Sequence, residues 1–263
     1  MLNSIRLSEI EQIAKHAGDI VMDIYQRDFR VGTKSDNSPI TEADRKANRY
    51  ILDNLSKLYP DIPTISEERD IAPYSKRRDW DYFWLIDPLD GTKEFINRND
   101  EFTINIALIE KDTPVLGVVY APALEKLYSA KRGEGAYLNG ARLSRKSNQG
   151  NLSVIASRSH QATGTDEFIQ TLRGKYPDLN LVHQGSSLKL CAIAEGTADI
   201  YPRLAPTSEW DIAAGHAILL EVGKDIYKYD EGVAPLQYLS KQHRLERMKY
   251  NKENLNNYYF VAV

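Results

Sequence analysis

Along residues 7–25 apolar side chains recur at helical spacing, Ile10, Ile13, Ala14, Ala17, Val21 and Ile24, which predicts an amphipathic helix. A second helix is expected after Ser38-Pro39-Ile40, with Thr41 as N-cap and Ala43, Ala47, Tyr50, Ile51, Leu55 and Leu58 in phase. Pro60 should end it. Strand-length apolar runs follow at 63–66, 82–86, 102–109 and 115–120, the last two separated by the turn-like Lys111-Asp112-Thr113-Pro114. Asn139-Gly140 is a hairpin-turn candidate. The second half predicts strands at 154–156, 199–201 and 259–261. It also predicts helices at 166–173, at 187–195 with a stop at Gly196, and an amphipathic one at 211–221 stopped at Gly223. This mixture is that of an α/β (α+β) chain, read as two lobes meeting near residue 150, one spanning 1–150 and the other 151–263.

Composition narrows the classes. The 263 residues carry 34 Lys plus Arg against 37 Asp plus Glu, a net charge of −3, which argues against a nucleic-acid partner needing a basic footprint. Cys191 is the single cysteine, so no disulfide scaffold exists. No run approaches the roughly 20 apolar residues of a membrane span.

The segment Trp84-Leu85-Ile86-Asp87-Pro88-Leu89-Asp90-Gly91-Thr92 carries the most chemistry. An apolar strand runs into one acid, and a second follows in a Pro/Gly turn that could bring the two carboxylates together. Hard divalent ions want such oxygen ligands, and the Leu89 carbonyl adds another. On spacing alone an Asp-rich turn and a metal site are equally compatible. Glu67-Glu68 as a loop pair is usually solvated, Asp211 is explained by a helix N-terminus, and Asp44 by a capping box with Thr41. Other patterns lead nowhere. Gly91-Thr92-Lys93 lacks the rest of a phosphate loop, Gly133-Glu134-Gly135 lacks the strand-to-helix context of a dinucleotide fingerprint, and His16, His183, His216 and His243 show no ligand spacing. Cys191 reads as a buried small residue.

Taken together, Glu67-Glu68, Asp87-Pro88-Leu89-Asp90-Gly91-Thr92 and Trp210-Asp211-Ile212-Ala213-Ala214-Gly215 resemble the inositol monophosphatase superfamily of Mg²⁺-dependent, lithium-sensitive phosphatases. Stretches such as Lys34–Thr41, Gly91–Ile96, Gly117–Pro122, Gly185–Lys189 and Asp199–Arg203 resemble its 3'(2'),5'-bisphosphate nucleotidase branch.

The resemblance implies a layered αβαβα sandwich of the inositol monophosphatase and fructose-1,6-bisphosphatase type. It implies two Mg²⁺, with a third, weaker ion in some schemes, held by Glu67, Asp87, the Leu89 carbonyl, Asp90 and Asp211. Thr92 would orient the attacking water, and Glu68 or Asp44 would assist its deprotonation. Glu67, Leu89, Asp90, Gly91, Thr92 and Asp211 would surround the scissile phosphate, while His160, Ser186, Lys189 and Arg203 would contact the nucleotide and its other phosphate.

The implied reaction removes the 3'-phosphate of adenosine 3',5'-bisphosphate (PAP) to give AMP, with the phosphosulfate analogue (PAPS) as a second substrate, in sulfate assimilation. An inositol or general sugar-phosphate phosphatase is the alternative, and a non-catalytic nucleotide or metal sensor a further one. The expected partner is a small nucleotide bisphosphate, with no nucleic acid and no integral membrane segment. The expected state is a cytoplasmic monomer. The basic stretch 241–252, read as a solvated face, leaves room for peripheral contact at the cytoplasmic face of the inner membrane.

Overall fold

Helix α1 (Leu7–Tyr25) buries the predicted stripe, with Ile10, Ala14, Ala17 and Val21 fully covered. In the computed structural model, which describes residues 1–33, 39–144, 150–158, 163–240 and 245–263, a short hairpin of β1 (Val31–Thr33) and β2 (Pro39–Thr41) follows. Most of the Lys34–Thr41 motif, the His160 position and the start of the basic stretch, His243 among it, lie outside the described residues. Helix α2 (Glu42–Leu58) begins at the predicted cap: the Thr41 hydroxyl accepts from the Ala43 N–H at 3.1 Å.

The chain then builds one seven-stranded sheet. In chain order its strands are β3 (Thr64–Ser66), β4 (Tyr82–Asp90), β5 (Thr103–Glu110), β6 (Thr113–Ala121), β7 (Lys126–Lys131), β8 (Gly135–Leu138) and β9 (Ala141–Arg142), and they lie side by side in that order. Only the β3–β4 pair is parallel. Short helices α3 (Tyr74–Arg77) and α4 (Thr92–Ile96) flank β4. Asn139 and Gly140 turn the β8–β9 hairpin with φ of 49° and 81°, as expected of that pair.

Beyond it come β10 (Ser153–Ser157), α5 (Thr163–Lys175), β11 (Asn180–Gln184), α6 (Leu188–Glu195), β12 (Tyr201–Arg203), α7 (Glu209–Glu221), β13 (Ile226–Lys228), α8 (Pro235–Ser240) and β14 (Phe260–Ala262). Strands β10 and β11 pair in parallel, β14 sits between β12 and β13, and a bridge from Val154 to Ile200 joins the two sets. The layers therefore run α1/α2, large sheet, α6/α7, small sheet, α5/α8. One apolar core fills the space under α1 and α2, a second surrounds α6 and α7, and a third lies beneath α5 and α8. This is the αβαβα sandwich.

Helix α7 differs from expectation. Instead of an amphipathic face, Ile212 through Leu219 are all buried, because the helix lies between two sheets and has no solvent side. It approaches β6 so closely that a Cβ on Gly117 would sit 2.2 Å from the Ala214 carbonyl oxygen. The solvated-face reading of residues 241–252 also fails at its described end. Met248 and Tyr250 are buried, and Lys252 donates to Glu209, a fully buried carboxylate at the start of α7. An unpaired acid there would be costly, so the chain supplies a cation. Strand β12 starts two residues later than predicted, since the Asp199 carboxylate instead accepts the Ser153 N–H at 2.7 Å.

Candidate active site

Strand β4 does not stop at Ile86 but runs through Asp90, and a bulge brings its two acids together. Asp87 faces Asn105 and Asp90 faces Thr103, so three steps on β4 match two on β5. Residues three apart on a regular strand point to opposite faces, and the extra residue restores Asp87 and Asp90 to one side. Pro88, which lacks an N–H, is tolerated because it falls within that irregularity. Gly91 then turns the chain at φ 90° into α4, as its position in the motif predicted.

A cleft of about 310 Å³ opens over this turn. Glu67, Asp90, Thr92 and Asp211 line it together with Ser186, Lys189 and Arg203. Asp87 lies beneath, 2 % exposed, with Oδ1 accepting the Leu89 N–H at 3.0 Å. Burial pushes its carboxyl well above the usual range, and the charges of Glu67, Asp90 and Asp211 push further. Asp211 is raised in the same way, by burial and then by Asp90. Asp90 reaches about 6, because burial is countered by the Lys189 ammonium and by the Ser187 N–H, which donates to Oδ2 at 2.6 Å. Four acids from β4, the loop after β3 and the start of α7 thus interact electrostatically. Among the described residues they are not drawn into a ready-made metal-holding group.

Thr92 joins the set from the start of α4. Its hydroxyl lies 3.4 Å from the Leu89 carbonyl oxygen and 3.5 Å from Asp44 Oδ1. Asp44, 2 % exposed, uses its other oxygen to accept from both the backbone N–H and the hydroxyl of Thr41 at 2.7 Å. The capping box predicted from sequence is real, yet it leaves Oδ1 turned to Thr92. Burial raises the Asp44 carboxyl, against the pull of the Thr41 bonds. Glu68 lines a neighbouring cavity with Arg45, Asn48 and Arg49.

Lys189, also in the lining of the cleft, is a buried residue of α6, not the solvated one its helix position would give in isolation. Its ammonium donates to the Ser186 carbonyl and stands 5.6 Å from the centre of the Tyr201 ring. Burial lowers it to about 8, with Asp90 resisting and Arg203 assisting. Arg203, 8 % exposed, gives Nη2 to the Pro206 carbonyl at 3.2 Å, while its buried Nε has no partner among the described residues.

Sequence reasoning overlooked Tyr201 and Asn105 as individual residues, and had Ser187 only as part of the Gly185–Lys189 stretch. Ser187 reaches Asp90 through its N–H, and its hydroxyl donates to Asn105 Oδ1 at 2.8 Å. Tyr201 was within reach, being two positions from Arg203 and so on the same face of a strand. Among the lookalikes, Cys191 is buried as expected, and His216 is held in the core between Tyr250 and Asp225.

The inositol monophosphatase family model matches residues 5–259. The 3'(2'),5'-bisphosphate nucleotidase CysQ of Escherichia coli (strain K12) is 42% identical over 241 residues, 90% of this chain and 95% of the relative. The enzyme of the same name from Salmonella typhimurium is 44% identical over 228 residues, 85% of this chain and 90% of its own. Among solved structures, CysQ from Bacteroides thetaiotaomicron superposes with a TM-score of 0.83 at 38% identity, covering 97% of this chain and 96% of that one. With the family model spanning nearly the whole length and the layers in the same arrangement, the chain belongs to the inositol monophosphatase family.

Proposed function

We propose that this protein is a 3'(2'),5'-bisphosphate nucleotidase that removes the 3'-phosphate of adenosine 3',5'-bisphosphate, releasing AMP and phosphate. The observation that carries the reading is one cleft that brings a set of acids together with two buried cations, Lys189 and Arg203, the latter with an unused donor. A nucleotide bisphosphate has two anionic groups, one for a metal held by the acids and one for the buried cations; an inositol monophosphate has one. The phosphosulfate analogue shares the 3'-phosphate and fits the same scheme.

Family members are metal-dependent, and the donors here fit a hard cation: carboxylates of Glu67, Asp87, Asp90 and Asp211 and the Leu89 carbonyl are all oxygen. These are the groups that would hold Mg²⁺, two ions in our reading. An ion held by these residues would supply neutralisation of the phosphate charge and a more nucleophilic water near neutral pH.

The chain's own groups do the rest. The Thr92 hydroxyl orients the attacking water, and Asp44 Oδ1 beside it takes the proton. Asp44 fits this role better than Glu68, which faces the neighbouring cavity. Ser186, Lys189 and Arg203 fix the 5'-phosphate so that the 3'-ester lies over the acids.

Phosphate release from adenosine 3',5'-bisphosphate and from inositol 1-phosphate, with and without Mg²⁺, tests the proposal. Preference for the nucleotide is expected; preference for the inositol ester overturns it.

A further inference from the structure

Beside Gly91 and Gly185, Glu101 ties together three stretches of chain that are far apart in sequence. Its carboxylate, largely buried, accepts from Arg158 Nε at 3.0 Å and Nη2 at 2.9 Å, and from the Gly185 N–H at 2.8 Å. Arg158 in turn donates to the His183 carbonyl at 3.1 Å. The loop before β5, the end of β10 and the β11–α6 connection therefore meet on one side chain. An exposed arginine pair alone contributes little. A bidentate pair joined by a backbone N–H is stronger and directional.

The packing around it leaves no slack. A Cβ on Gly185 would lie 2.7 Å from Glu94 Cγ and 3.0 Å from the Glu101 carbonyl oxygen. A Cβ on Gly91 would lie 3.1 Å from that same oxygen and 3.3 Å from Ser186 Cβ. The catalytic turn, the Glu101 backbone and the 185–187 connection are thus in direct contact. That connection is pinned at both ends, Gly185 to Glu101 and Ser187 to Asp90. Between the pins Ser186 is held at φ 44°, a conformation that residues other than glycine adopt only under constraint. The Ser186 carbonyl is the acceptor for Lys189.

We infer that Glu101 is a positioning residue for nucleotide binding: without touching substrate, it holds the 185–187 connection so that Ser186 and Lys189 meet the nucleotide. Without its carboxylate the Gly185 N–H loses its acceptor, Ser186 relaxes from its constrained φ, and the Lys189 ammonium loses its fixed anchor. This inference rests on the nucleotide reading above.

Four proteins test it: E101A, E101Q, R158A and the E101A/R158A double variant. The readouts are KM and kcat with adenosine 3',5'-bisphosphate, and the Kd of AMP by calorimetry. Expected for E101A is a rise in both KM and Kd on the order of tenfold with a much smaller change in kcat. E101Q and R158A should shift the same quantities less, and the double variant should be no worse than E101A, because the two residues act through one contact. If E101A does not fold, E101Q and R158A carry the comparison. Wild-type KM and Kd in the variants, or a loss confined to kcat, overturns the role of Glu101. A wild-type enzyme that ignores the nucleotide overturns the substrate reading and this inference with it.

Discussion

Asp44 and Asp211 occupy the same position, third in a capping box, at the starts of two helices on opposite faces of the large sheet. Asp44 Oδ2 accepts the Thr41 N–H at 2.7 Å and Asp211 Oδ2 accepts the Ser208 N–H at 2.8 Å. Each carboxylate spends one oxygen on fixing its own backbone, while Asp44 Oδ1 lies 3.5 Å from the Thr92 hydroxyl and Asp211 lines the cleft. Local helix-start chemistry thereby orients two carboxylates to which the proposed mechanism gives roles.

That arrangement separates stability from activity. Replacing Thr41 by alanine removes the cap but leaves Asp44, and should lower stability by about 1 kcal/mol. D44N keeps an acceptor for the cap and should leave thermal unfolding nearly unchanged, while lowering kcat by roughly two orders of magnitude. Calorimetric unfolding and phosphate release on the two variants check both halves.

The buried acids imply a pH dependence of stability in the metal-free protein. Asp87 and Asp211 are raised by burial and by neighbouring negative charge, so the folded state binds protons that the unfolded chain has released. Stability must then fall as pH rises above the ordinary carboxylate value. In EDTA the melting temperature should be lower at pH 8 than at pH 5, and Mg²⁺ should recover part of the difference. D87N should flatten this profile and raise the pH 8 melting temperature in EDTA while abolishing turnover.

Lys189 predicts a second loss on the alkaline side, this one in binding. Its ammonium, lowered to about 8 by burial, is present below that pH and lost above it. The KM for the nucleotide should therefore rise as pH passes through 8. K189M should show a high KM at every pH, without this inflection. An unchanged wild-type KM between pH 7 and 9.5 would count against a phosphate contact by Lys189.

Gly117 sets how close α7 lies to the sheet. G117A places a methyl group against the Ala214 carbonyl and should destabilise by about 1–3 kcal/mol, as overpacked cores do. Since α7 carries Asp211, activity should fall below wild type even at temperatures where the variant is fully folded. Urea unfolding and turnover at 20 °C give the two numbers.

The sequence made some of this legible and hid the rest for identifiable reasons. Helices α1 and α2 were readable because each has one covered face, and strands β4 to β6 because their apolar runs are uninterrupted. Strand β7, Lys126–Lys131, alternates too irregularly to stand out: Ser129 and Lys131 are buried through contacts from other elements, with Glu11 and the Ile5 carbonyl. Helix α7 misled because its period is masked by burial on every side. In the site, the acids on β4 stood out as a motif, but the device that brings them together, the bulge opposite Asn105 and Thr103, depends on a partner strand. Glu101 was invisible for a similar reason, since its partners Arg158 and Gly185 are 57 and 84 residues away.

The layered order of the molecule has a consequence for how such an enzyme can diversify. Asp87 and Asp90 stand on the large sheet, and Arg203 on the small one, with the α6/α7 layer between supplying Lys189 and Asp211. Under the proposed roles, Arg203 on the small sheet can therefore drift while Asp87 and Asp90 stay anchored on the large one. The fold acts as a chassis on which new specificities can be fitted without rebuilding the engine.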